Sequence, residues 1–274
     1  MKQMTINEIQ DVSLGILKNF DAFCREKGIC YWLSEGTLLG AIRHHGFIPW
    51  DDDVDVSMMR DDYEKLIKLA NRFDGHYFLQ YPGCEDGYGF SFVRLCNSKT
   101  TSLSKVFAYQ KFNQGIALDI FPLDKVKMSD SQAIYDEVNL LNRDNSTCMR
   151  MNNPNLCEAD KIRIAECVNK DIVLNQMRIN ELVQTFNRGE YDRIGTLTYT
   201  GYTYDRNCFR EEVYSSTLLG EFEGLRFPIP SGYDEILTTT FGDYSKFPPI
   251  EERGSWHFGK IIDPDVSYTE YIKL

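Results

Sequence analysis

The sequence predicts an α/β protein of the α+β kind, one unit in which short strands alternate with helices before a helical elaboration and a strand- and turn-rich C-terminal part. Three observations support that class. Apolar residues recur at helical spacing in the opening segment (Ile9, Val12, Ile16, Phe20, Phe23). Two short segments, Asp53-Val54-Asp55-Val56 and Gly115 to Phe121, set acidic side chains into period-two apolar patterns. From about Ser129 to Asn187 the chain is rich in Asn and charge with helical character, whereas Tyr, Phe, Gly and Pro mark the remainder.

Taken in order, Thr5 and Glu8 form a T-x-x-E capping box for a first, packing helix, and Gly28 is its stop. Cys30-Tyr31-Trp32-Leu33 reads as a short buried strand, which passes through Ser34-Glu35-Gly36-Thr37 into a helix over Leu38 to Arg43. A loop, Gly46-Phe47-Ile48-Pro49-Trp50, leads to the acidic strand. Asp61 is expected to cap the next helix, whose apolar face carries Tyr63, Leu66, Ile67 and Ala70. The strand from Gly115 is expected to close at Pro122, and the helical middle to break at Asn152-Asn153-Pro154-Asn155. Phe222 to Pro230 reads as short strands and turns. No internal repeat, low-complexity tract or long linker interrupts the 274 residues.

The chain is 42% hydrophobic and 26% charged, ordinary for a globular protein, and its net charge of −11 argues against bulk binding to nucleic acid. A phosphate-bearing small ligand remains compatible, because a few local cations or a metal suffice to hold it. The N-terminal residues lack the apolar run of a secretory signal, and no stretch approaches the ~20 apolar residues that span a bilayer. A cytoplasmic protein, soluble or docked peripherally at the inner face of the membrane, is expected. Cysteines stand at 24, 30, 84, 96, 148, 157, 167 and 208 with no C-x-x-C pair. Reduced thiols are the expectation, with a zinc site at Cys148, Cys157 and Cys167 as the minor alternative.

The strongest chemical signal is acidic. On a strand, Asp53 and Asp55 share one face with Cα atoms roughly 6.6 Å apart, while Val54 and Val56 face the core. Two carboxylates so placed suit a hard divalent ion, Mg²⁺ or Mn²⁺, that keeps positions open for phosphate. Asp119 stands opposite in face to Ile116, Leu118 and Ile120, and would complete a three-carboxylate site if the two strands are neighbours. A calcium loop fits poorly, since Val56 and Asp62 stand where an EF-hand needs Gly and Glu. A metal-free acid/base pair fits poorly too, because same-face neighbours cannot flank a sugar from opposite sides. Ser34-Glu35-Gly36-Thr37, between strand and helix, offers free N–H groups, a glycine for close approach and the Thr37 hydroxyl to an anion. An anion cradle beside carboxylates that hold a metal is what phosphoryl transfer requires.

The run from Gly36 to His44, then Gly46 to Asp55, closely resembles the LicD family signature. Leu118-Asp119-Ile120-Phe121-Pro122-Leu123-Asp124 looks like its second block, and Phe222 to Pro230 with Phe241 to Pro249 looks like its C-terminal blocks. The likeness covers residues 30 to 258 in separated islands. The family is related to fukutin-type phosphoribitol transferases and belongs to the nucleotidyltransferase-fold superfamily. The resemblance therefore implies a nucleotidyltransferase-like core of a small mixed sheet flanked by helices over residues 1–125. A helical elaboration over 126–190 would follow, and a strand- and turn-rich C-terminal part over 191–274 would complete the pocket. It implies Asp53, Asp55 and Asp119 as metal ligands and catalytic groups, and Gly36-Thr37 as the phosphate-binding turn, with Glu35 beside it as a further substrate-binding candidate. It also implies a CDP-choline donor, or a related CDP-linked one, and a glycan acceptor, lipid-linked, of the teichoic acid or lipopolysaccharide type. The gap from Thr37 to Asp53 is longer than in simpler nucleotidyltransferases, and the extra loop from Arg43 to Trp50 is expected to shape the pocket.

Further candidates carry weaker signals. Arg94 suits phosphate or a structural ion pair equally, and His257 is placed for a phosphate or leaving-group contact. Arg43 reads as a loop anchor or donor contact, and neither His44 nor His45 is assigned a catalytic part. The 16 tyrosines and 3 tryptophans would suit a quaternary ammonium but do not locate a cage. The rival activity is nucleotidyl transfer from a triphosphate to a small alcohol, and the rival class a non-catalytic scaffold on the same fold.

Overall fold

A computed structural model describes residues 5–73, 75–104, 107–167, 170–198, 204–254 and 260–272. The first helix, α1 (Ile6–Lys27), is closed at both ends by local chemistry. The Thr5 hydroxyl accepts from the Glu8 N–H, the Glu8 carboxylate accepts from the Thr5 N–H, and Gly28 ends the helix in the left-handed region at φ 60°. Its buried stripe, Ile16, Leu17, Phe20 and Cys24, lies against the apolar face of the sheet with Val54, Val56, Leu95, Leu118 and Ile120.

That sheet is mixed, with the order β1-β2-β6-β4-β3. Strand β1 (Trp32–Leu33) leads into α2 (Glu35–Arg43), then β2 (Val54–Met59), α3 (Arg60–Lys68), β3 (Tyr77–Gln80), β4 (Val93–Asn97), β5 (Thr101–Ser104) and β6 (Ile116–Val126). Strands β2 and β6 are parallel, and β1, β4 and β3 join antiparallel. Strand β1 is shorter than its apolar run suggests, because Cys30 is exposed and its N–H donates to the Asp62 carboxylate. Asp61 does not cap α3. The extended Met59 precedes the helix directly and Asp61 falls in its first turn. Pro122 does not close β6, which runs four residues further. On one edge of β6, β4 ends at Ile120 and β7 begins at Asp124, so Pro122 lies where no ladder bond is demanded of its missing N–H.

Three helices follow, α4 (Ser131–Cys148), α5 (Glu158–Glu166) and α6 (Ile172–Val183), with the expected break between α4 and α5. Tyr135 and Val138 of α4 and Ile179, Leu182 and Val183 of α6 form a second core with Val126 and Leu197. Strands β7 (Arg193–Gly195) and β8 (Cys208–Phe209) extend the sheet past β6. A hairpin, β9 (Thr217–Phe222) and β10 (Leu225–Pro230), turns at Glu223 and Gly224, both with the positive φ of a two-residue turn. Helix α7 (Tyr233–Phe241) was not expected; three consecutive threonines, Thr238 to Thr240, are weak helix formers, and burial of Leu237 and Thr240 overrides them. Strand β11 (Lys260–Asp263) pairs back with β5. All eight thiols are free, and Cys157 is exposed and donates to Asp160, so the cysteine trio does not gather at one point. Among the described residues no helix is long and apolar enough to cross a membrane.

Candidate functional site

The face of the sheet turned away from α1 carries a polar row. Parallel pairing sets Asp55 of β2 directly beside Asp119 of β6, and antiparallel pairing sets Arg94 of β4 beside Asp119 on its other side. Adjacent strands lie about 4.8 Å apart, so in-register side chains on one face are near neighbours. Arg94 Nε donates to Asp119 Oδ1 at 3.0 Å. Of the two roles open to Arg94 from sequence, the fold provides the ion pair. Asp53 precedes the first residue of β2 and does not lie on it.

More carboxylates converge here than the three expected. Burial, and after it the charges of Asp53, Asp119, Glu35 and Asp51, holds the Asp55 carboxyl well above its ordinary range. Asp51 is also pushed up, by burial, and its carboxyl hydrogen-bonds with that of Asp53. Among the described residues no three acidic, His or Cys side chains close on one point as a finished cage. The fit to a divalent cation lies in the charge, because five acidic groups within electrostatic reach of one another leave an excess that Arg94 alone does not offset.

The expected phosphate turn sits beside this cluster. Ser34 N–H donates to Asp55 O, and α2 starts at the next residue, so its free N–H groups open next to the carboxylates. The Ser34 hydroxyl is buried without a hydrogen-bond partner, and Glu35 takes a left-handed φ of 47°, a conformation that costs a non-glycine residue of order 1–3 kcal/mol. Gly36 serves a different closeness from the one expected: a Cβ there would meet Asp51 Oδ2 at 2.6 Å, so the missing side chain admits a carboxylate over the helix start. Thr37 also has a partner within the fold. It is buried, and its hydroxyl accepts from the Asp55 N–H at 2.9 Å, which makes it a support of the acidic strand. Thr37→Val should therefore leave a buried donor unsatisfied and cost about 1–3 kcal/mol in a denaturant melt. A loss under about 0.5 kcal/mol would refute that role for the hydroxyl.

A narrow cleft borders the row, lined by Ser34, Glu35, Ser57, Phe121, Arg206 and Tyr214 among others. Arg206 is a cation that no motif singles out, since only tertiary packing brings it to the cleft. The long loop after α2 is fixed from three sides. Gln10 of α1 donates to Asp51 O and Ile48 O, Glu223 at the hairpin tip accepts from the Phe47 N–H, and the Glu223 N–H donates to His45 O. Arg43 is the anchor, with Nη1 donating to Tyr244 O and Lys246 O. His257 lies outside the described residues.

Residues 28–143 match the model of the LicD/FKTN/FKRP nucleotidyltransferase domain. The chain is similar to the lipopolysaccharide cholinephosphotransferase LicD of Haemophilus influenzae, 29% identical over 270 residues that cover 94% of this chain and 97% of the relative. It is also similar to the human ribitol 5-phosphate transferase FKRP, 54% identical over 42 residues, 15% of this chain and 8% of the relative. The mouse ribitol-5-phosphate transferase FKTN shares 44% identity over 46 residues, 17% of this chain and 10% of the relative.

Proposed function

We propose that the chain is a phosphotransferase of the LicD type, which moves phosphocholine from CDP-choline to a glycan hydroxyl with release of CMP. The observation that carries this reading is the in-register pair Asp55 and Asp119 beside the open start of α2. The likeness to a lipopolysaccharide cholinephosphotransferase over nearly the whole chain favours choline as the head group. The acceptor is a precursor of the lipopolysaccharide or teichoic acid type, presented on a lipid at the cytoplasmic face of the membrane.

Asp53, Asp55 and Asp119 would hold Mg²⁺ or Mn²⁺, which would supply positive charge against the donor diphosphate and the departing CMP. The N–H groups at the start of α2 and the Ser34 hydroxyl bind phosphate oxygens, with Arg206 at the cleft wall. Arg94 orients the Asp119 carboxylate. The acceptor oxygen bonds to the choline-bearing phosphorus, the bond from phosphorus to the CMP oxygen breaks, and the hydroxyl proton passes to Asp119. The direct test incubates the protein with Mg²⁺, CDP-choline and acceptor and separates the nucleotides. CMP formed only with acceptor is the expected result. Pyrophosphate released from CTP would replace the reading with nucleotidyl transfer, and neither product with no metal binding would replace it with a scaffold.

A further inference from the structure

Where the loop after α2 meets the C-terminal segment, side chains gather that are almost entirely donors. Arg43 leans on the Phe247 ring at 5.1 Å, and Arg253 leans on Phe247 at 5.4 Å and on Trp50 at 5.3 Å. Among the described residues neither guanidinium forms an ion pair with a carboxylate. Arg43 uses Nη1 on two backbone carbonyls and Arg253 uses Nε on Pro248 O, and among the described residues Arg43 Nη2 and both terminal nitrogens of Arg253 have no acceptor. His44 adjoins Arg43 and stands edge-on to Phe247 and Trp50. Its Nδ1 accepts from Arg43 Nε at 3.4 Å, so the ring proton belongs on Nε2, and Nε2 is buried with no partner.

We propose that Arg43, His44 and Arg253, framed by Trp50 and Phe247, form an anion subsite that takes a phosphate-type group of a substrate beside the carboxylate cluster. The ring donor and two guanidiniums ask for an acceptor-only ligand, and a phosphate oxygen supplies it. Burial, and after it the nearby Arg253, lowers the pKa of Arg43, as expected for like charges without a counter-ion. Trp50 adjoins Asp51, whose carboxylate covers Gly36 at the start of α2, so the basic and acidic lobes share one loop. The same cluster is a poor choline cage, since its aromatic faces already carry guanidiniums that repel a quaternary ammonium. The anion is either a phosphate of the nucleotide donor or an acidic group on the acceptor glycan. The inference rests on the reading of the chain as a transferase of phosphorylated substrates.

The test uses the full chain and Arg253→Gln, with Arg178→Gln on α6 as a charge control. Inorganic pyrophosphate is titrated calorimetrically in chelator at low ionic strength. Wild type and the control should bind alike, and Arg253→Gln should bind about 5–10-fold more weakly. No binding to wild type, or equal loss in both variants, overturns the subsite. Steady-state transfer then identifies the source of the anion: a raised KM for CDP-choline alone assigns the donor phosphate, and a raised KM for acceptor alone assigns the glycan. If neither KM moves while wild type turns over, the subsite is wrong and the transferase reading stands. If wild type transfers nothing yet binds pyrophosphate in an Arg253-dependent way, the subsite stands and the transferase reading fails.

Discussion

Asp55→Asn should lower transfer by about 10³-fold while the metal-free protein becomes harder to melt at pH 7. Most buried-site substitutions cost stability, but this one removes a charge that the fold crowds with Asp53, Asp119, Glu35 and Asp51. The sign of the pH dependence follows from the raised titration of Asp55. In the unfolded chain an aspartate titrates near 3.9, so the contribution of this group is fully present below about pH 3.9 and lost as pH rises through the higher folded value. Wild type should therefore lag the variant at pH 7 without metal and converge with it below about pH 4. Each kcal/mol of relief is worth about 2–4 °C in a chain of this size. Adding Mg²⁺ at pH 7 should raise the melting temperature of wild type and leave the variant nearly unmoved. A variant that melts lower than metal-free wild type, or that keeps transfer within about tenfold, would remove Asp55 from the centre of the site.

The second large effect concerns a residue outside the site. Asp124 is fully buried and meets Arg60 through two hydrogen bonds, Arg60 Nε to Oδ1 at 2.8 Å and Nη2 to Oδ2 at 2.5 Å, while Asn187 Nδ2 also donates to it. The parallel register of β2 and β6 ends at Met59 and Leu123, and this ion pair continues it by one step into α3. Asp124→Ala leaves a guanidinium whose side chain is only 9% exposed with the half-exposed Glu64, at 3.5 Å, as its acidic partner, and should cost about 3 kcal/mol, a drop on the order of 10 °C. Arg60→Met combined with Asp124→Leu should recover much of that, because an apolar pair needs no desolvation. A single-variant loss under about 1 kcal/mol in chemical denaturation would show that the pair does not hold the two strands together.

Local signals were legible in the chain. The T-x-x-E box and Gly28 bound α1 because capping involves residues three or four apart, and alternation exposed Asp55 and Asp119 because the strand period is two. Errors arose where the deciding partner is distant. Pro122 was read as a terminator, yet the gap between β4 and β7 accommodates it. The Thr37 hydroxyl also supports a strand 18 residues on, a contact no local pattern announces. Helix α7 escaped notice because its burial, and not its propensity, makes it helical.

The sequence by itself determined which segments carry acid on one face and apolar side chains on the other, and its motif blocks pointed to the LicD family. Periodicity and capping are short-range, so one strand or helix suffices to display them. Only the tertiary structure decided that Asp55 lies beside Asp119, that Arg94 closes on Asp119 and not on solvent, and that Asp51 and Glu35 join the cluster. It also decided that Gln10 and Glu223, from opposite ends of the chain, grip the loop between Arg43 and Trp50. These are choices of register and packing between segments far apart in sequence. They are fixed by the burial of α1 and the Arg60–Asp124 pair against the sheet, and no local pattern encodes them.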